Sequence, residues 1–139
     1  MSPTALALTG YVTWMLILIA GIEVLRTRAV LKFGRQPNTF APDGSDVSPF
    51  ANRLCRAHAN CYESFPIIGG LLLFALATDR VSVTDSLALW VLAARIAQSL
   101  VHLASGSATA AQIRFAFFLV QLVVAVIWLA RLFALRVAG

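Results

Sequence analysis

Apolar positions fall into four long runs along the chain. They cover about residues 5–25, 56–78, 83–104 and 112–133. Each approaches the ~20 residues that a helix needs to cross a bilayer. Helix is the expected form, because lipid offers no partner to an exposed backbone group. The pattern predicts an all-α membrane protein: a bundle of four transmembrane helices, forming one domain over residues 1–139. A long connection from Thr27 to about Arg53 separates the first two spans, and Pro37, Pro42, Gly44 and Pro49 read there as turns. After the short turn TDRVSVTD, Thr84 or Asp85 is placed to cap the third helix.

Composition supports this reading. The 139 residues are 60% hydrophobic and 12% charged, with a mean hydropathy of +0.83. A soluble domain exposing that much apolar surface would aggregate. The start, MSPTALALTGYVTW, has neither a basic leader nor a small-residue cleavage site, so a retained first span is expected rather than a signal peptide. The net charge of +5 comes largely from residues flanking the first connection: Arg26, Arg28, Lys32, Arg35, Arg53 and Arg56. The second connection has only Arg80, beside Asp79 and Asp85. This asymmetry predicts a cytoplasmic first connection with both termini opposite, although Arg131 and Arg136 count the other way. In a bacterium the chain would lie in the inner membrane. No basic patch with interleaved aromatics lies outside the spans, so nucleic acid is not an expected partner. Cys55 and Cys61 are six apart and point to different sides of a helix. They read as packing residues, and no metal is expected.

The polar residues inside the spans are not scattered. Arg53, Arg56, Asn60 and Glu63 follow helical spacing on one stripe of the second span, with His58 off it. Arg95, Gln98 and His102 share a face of the third span, Arg114 and Gln121 one of the fourth, and Glu23 and Arg26 one of the first. With alternating spans, all these stripes lie toward the same membrane side, and the opposite half is almost purely apolar. Charges near a bilayer interior face one another or a polar cavity. Salt bridges such as Arg95 with Glu23 or Glu63 are one outcome. However, the arginines outnumber the carboxylates, and a planar guanidinium suits an anionic ligand. The stripes therefore also predict an anion pocket opening on the cytoplasmic side, without naming the anion.

The stretch RLCRAHANCYESFP resembles the signature of the MAPEG family, the membrane-associated proteins in eicosanoid and glutathione metabolism. Arg53, Arg56, Ala57, His58, Asn60, Glu63 and Pro66 stand at its fixed positions, in the second of four spans. The resemblance implies a homotrimer that binds glutathione, bent, between adjacent subunits near the cytoplasmic face. It implies conjugation or reduction of hydrophobic electrophiles and lipid hydroperoxides, or eicosanoid chemistry; one member binds without catalysing. Arg56, Asn60 and Glu63 would hold the peptide and its charged ends, with Arg53 in support. Arg26 would meet a glutathione carboxylate, and Arg95 matches the arginine of the third helix. Arg114 would be the catalytic residue, favouring thiolate over thiol. Where catalytic relatives carry tyrosine on the third helix, this chain has Gln98 and His102 as candidate glutathione contacts. Where they carry a hydroxyl after the fourth-helix arginine, it has Phe115, Phe117 and Phe118.

Three functions compete. One is a membrane glutathione transferase or peroxidase, drawing hydrophobic substrate from lipid. Another is a non-catalytic glutathione- or lipid-binding protein on the same trimer. The third is a small anion transporter, which should carry polar groups through the full membrane depth.

Overall fold

The computed structural model describes residues 1–137 and consists of four long helices: α1 (Pro3–Phe33), α2 (Pro49–Ala77), α3 (Asp85–Ala104) and α4 (Ala108–Val137). Single 3₁₀ turns at Pro37–Thr39 and Val81–Val83 punctuate the first two connections, and there is no strand among the described residues. All four helices are long and apolar enough to cross a membrane. Side-chain contacts fix the up-and-down order. Thr4 at the start of α1 meets Asp85 at the start of α3, while Arg53 near the start of α2 meets Leu103 near the end of α3.

Three of the helices overrun the spans predicted from hydropathy, while α3 matches its span to within two residues. α1 has 31 residues, about 46 Å at 1.5 Å per residue, against a hydrocarbon core of ~30 Å. It runs on through Arg26, Arg28 and Lys32, which favour helix as well as apolar residues do. It stops at Gly34, whose φ of 64° is the left-handed cap that glycine adopts without strain. α2 starts a full two turns earlier than predicted. Ser48 accepts a hydrogen bond from the Ala51 N–H, and Pro49 occupies the first helical position. The proline expected in a turn is thus a helix starter, and the first connection shrinks to residues 34–48. α4 also begins earlier, with Ser107 accepting from the Ala110 N–H.

Leucine side chains seated on glycine backbone set the packing of α1. A Cβ on Gly10 would lie 2.6 Å from Leu92 Cδ2, and one on Gly21 3.2 Å from Leu54 Cδ2, so α1 nests against both α3 and α2 at small residues. Tyr11, Leu18, Leu72, Val91 and Trp128 fill the core. Cys55 and Cys61 are free thiols buried in it, as their spacing predicts. The opposite outer surface is apolar, with Val24, Trp90 and Val126 exposed.

Polar clasps close both ends. At the end away from the first connection, Asp85 Oδ1 accepts from the Thr4 N–H at 3.0 Å and from the Thr4 hydroxyl at 2.6 Å. Thr84 shares a hydrogen bond of 2.7 Å with the same hydroxyl. Thr84, one of the two residues expected to cap α3, does stand at its N-cap, but makes no side-chain capping bond there; the Thr84 and Asp85 side chains both meet Thr4 instead. Asp85 thereby caps α1 from another helix, near the positive end of its dipole. In the first connection, Asp46 accepts from the Ala41 N–H and from Arg35, whose guanidinium also reaches the Thr39 and Asp46 carbonyls and lies over the Phe40 ring.

Two predictions follow from these clasps. Thr4→Val keeps the shape but leaves a half-buried carboxylate and the buried Thr84 hydroxyl short of a partner, so it should destabilise the protein by about 1–3 kcal/mol and lower the melting temperature in detergent. A melting temperature within error of wild type would show that the Thr4–Asp85 contact contributes nothing. The Ala41 N–H and then Arg35 hold Asp46 below the usual carboxylate range. The stability that Asp46 contributes is therefore present above its unfolded value of roughly 4 and is lost as pH falls through the lower folded value. Hydrogen exchange of residues 34–48 should accelerate below about pH 4 beyond its intrinsic pH dependence, and Asp46→Asn should abolish that acid step.

Candidate functional site

α2, α3 and α4 diverge to leave a cleft of about 370 Å³. Asn60, Glu63, Ser64 and Ile67 line it from α2, Arg95 and Gln98 from α3, and Arg114, Phe115 and Phe118 from α4. Five of the residues singled out in the sequence therefore meet in one place: Asn60, Glu63, Arg95, Gln98 and Arg114. The volume is that of a small-molecule site, and its wall is polar toward the first connection and aromatic toward α4.

Arg95 is the deepest charge. It is the eleventh of the 20 residues of α3, half-way through the membrane-spanning helix, and only 1% exposed. Its Nη1 donates to the Asn60 carbonyl at 3.2 Å, and its guanidinium lies 5.7 Å from the centroid of the Tyr11 ring. Its Nε and Nη2 have no partner. Among the described residues, neither Glu23 nor Glu63 comes within ion-pair distance of it. The salt bridge that the sequence left open is not formed. An uncompensated buried guanidinium is costly, and Arg95 is among the residues that line the cleft.

The remaining polar groups form a shell around it. Asn60 Nδ2 and His102 Nδ1 lie 3.3 Å apart, joining α2 to α3. One turn deeper, Gln121 Nε2 donates to Gln98 Oε1 at 2.9 Å and to the Phe117 carbonyl at 2.8 Å. Tyr11 bonds the Cys61 carbonyl at 3.2 Å and the Ser64 hydroxyl at 3.0 Å, and Ser64 in turn donates to the Asn60 carbonyl at 2.6 Å. Tyr11 and Ser64 were not anticipated. A single tyrosine in an apolar run gives no periodic signal, and a serine within a helix reads as neutral.

Other predicted residues lie beside the cleft. Arg53 Nε donates to the Leu103 carbonyl at 3.0 Å, a cation on the last turn of α3 that supports its end. Arg56 is exposed at the mouth, and Arg53, Arg56 and Arg114 surround His102 within Coulombic reach. His58 turns away and packs against Tyr62. Arg26 faces a separate groove beneath the first connection, paired with Glu23 at 3.5 Å and lying over Phe40. Within one chain it does not reach the cleft.

Glu63 lines the cleft from α2 and is exposed there, within the predicted second span. A carboxylate in that position would meet hydrocarbon unless something covers it.

A sequence model of the MAPEG family matches residues 4–134, nearly the whole chain. No curated protein and no solved structure matches it. The family match, the four membrane-spanning helices and the motif of α2 agree: this multi-pass integral membrane protein belongs to the MAPEG family.

Proposed function

We propose that the chain is a glutathione-dependent transferase or peroxidase acting on hydrophobic electrophiles or lipid hydroperoxides, with glutathione bound as thiolate in the α2–α3–α4 cleft. The observation that carries this reading is Arg95, buried at mid-membrane with two guanidinium nitrogens unpartnered and no carboxylate in reach. The donor set fits a tripeptide with carboxylates at both ends and one ammonium. Arg95 and Arg56 suit the carboxylates, Glu63 suits the ammonium, and the Asn60 amide suits the peptide links. Members of the family commonly bind glutathione, which favours this ligand over other anions.

The bound tripeptide supplies a nucleophilic sulfur. The task of the chain is to keep that sulfur ionised and to exclude water around it. Arg114 stays charged at every accessible pH and acts as a fixed positive field beside it. Phe115 and Phe118 give the same cleft an apolar wall suited to an electrophile that arrives through lipid.

A homotrimer completes the site. Glu63, exposed at the rim of the cleft, calls for a covering subunit, and Arg26, stranded in its own groove, would reach the ligand of a neighbour. The basic end of α1 and the first connection would face the cytoplasm. A second reading, a non-catalytic glutathione-binding protein, is favoured by one observation: no hydroxyl follows Arg114, where Phe115 and Phe118 line the cleft.

Calorimetry and turnover separate these readings. Arg95→Met should weaken glutathione affinity by about two orders of magnitude, the few kcal/mol lost with a buried ionic contact. Arg114→Ala should bind within a few-fold of wild type, yet raise the pH at which the bound thiol ionises by about one unit or more, read as thiolate absorbance in the ultraviolet. Unchanged affinity in Arg95→Met would sink the site assignment. Tight binding without conjugation of a chromogenic electrophile would establish the binding-protein reading.

A further inference from the structure

Gln98 is a candidate glutathione contact by resemblance, but the amide pair it forms with Gln121 has no role in the chemistry proposed above, although both residues are buried within the membrane, at 6% and 1% exposure. Its polarity is fixed by a backbone group. The Phe117 carbonyl can only accept, so the Gln121 end that meets it must be Nε2. The same Nε2 meets Gln98, so Gln98 must present Oε1 to it. The two amides therefore have one orientation, and in it Gln98 Nε2 is the free end, with no hydrogen bond to the described chain. Gln98 lines the cleft. The arrangement leaves Gln121 Oε1 buried without a donor. Flipping Gln121 would relieve that atom, but would set two acceptors against each other at Phe117. Natural cores rarely keep such an orphan without a use for it.

We infer that Gln98 is the neutral hydrogen-bond donor to the thiolate sulfur, and that Gln121 is a positioning residue that keeps the donor end of the Gln98 amide toward the cleft. The inference rests on the glutathione reading above. Depth supports it: the Gln121 amide bonds at Phe117, about one turn deeper than Arg114, and Gln98 stands one turn nearer the mouth than Arg95. Gln98 thus lies between the cation proposed to hold the sulfur and the cation proposed to hold a carboxylate. The charged groups facing this level are Glu63 from α2, Arg95 from α3 and Arg114 from α4, with Arg56 and His102 toward the mouth and Tyr11 of α1 behind Arg95. Gln98 adds what they lack, a directional donor without charge, at the place where relatives carry tyrosine. When the bound thiol ionises, its proton leaves to the buffer at the mouth and the sulfur becomes the stronger acceptor, so the donor favours the ionised form.

The test is the pH titration of thiolate absorbance for glutathione bound to wild type, Gln98→Met, Gln121→Met and the double variant, with affinities from calorimetry. Gln98→Met should move the titration up by roughly one unit, the effect of one hydrogen bond to a charged group, and leave affinity at low pH within a few-fold. Gln121→Met should move it part of the way. In the Gln98→Met background it should add nothing, because it acts only through Gln98. Gln98→Glu keeps the bond from Gln121 but points an acceptor at the sulfur, so it should shift the titration further than Gln98→Met and serves if the methionine variants fold poorly. An unshifted titration in Gln98→Met and Gln98→Glu overturns the donor. Reduced affinity with an unshifted titration overturns it too, and assigns Gln98 to a peptide carbonyl instead. Additive effects of the two methionine substitutions overturn the positioning role of Gln121. Absence of glutathione binding to wild type overturns the reading of the site itself, and this inference with it.

Discussion

A guanidinium held at the middle of a membrane-spanning helix is the constraint around which the bundle is arranged. Arg95 cannot be left to lipid, and the chain provides no carboxylate for it among the described residues. Instead it provides partial solutions: a carbonyl from Asn60, the face of Tyr11, and a cleft. Each ties another helix to α3. The Asn60 carbonyl brings α2, and Tyr11 brings α1 together with the Ser64 hydroxyl. The Gln98–Gln121 pair, one turn nearer the mouth, brings α4. The polar groups that define the cleft are thus also the groups that hold the four helices in register, and site and fold cannot be varied independently.

Membrane helices lack the hydrophobic drive that packs soluble cores, since lipid tails are as apolar as leucine. Tight packing onto small residues and a few buried hydrogen bonds must serve instead. Here Gly10 and Gly21 provide the close contact for α1. The hydrogen bonds cluster at mid-depth around Arg95 and at the far end around Thr4. At the mouth the arginines of α2 and α4 gather around His102.

Much of this was legible in the sequence. Four hydrophobic runs gave four helices, because a bilayer leaves the chain few other choices. The stripe Asn60–Glu63 and the face Arg95–Gln98 could be placed together because helical period and alternating direction fix both angle and depth. Helix ends were less legible. Hydropathy marks where lipid stops and not where the helix does, so Arg26 to Phe33 looked like connection. Ser48–Pro49 looked like a turn, although the same pair is a capping signal. Contacts between distant helices left no local trace. Nothing in the spacing of Thr4 and Asp85 foretells that one caps the helix of the other, and Tyr11 stands alone in an apolar run. The polarity of the Gln98 amide depends on a backbone carbonyl on a different helix, which no side-chain pattern encodes.

The Thr4–Asp85 clasp has a mechanical consequence. It pins α1 to α3 at the membrane face farthest from the cleft mouth, with Thr84 locking the same hydroxyl. A joint of three hydrogen bonds at one end of two rods fixes their relative depth: α1 cannot slide along α3 without breaking all three together. The far end of α3 is thereby held at one height against α1, and with it the level at which Arg95 and Gln98 enter the cleft.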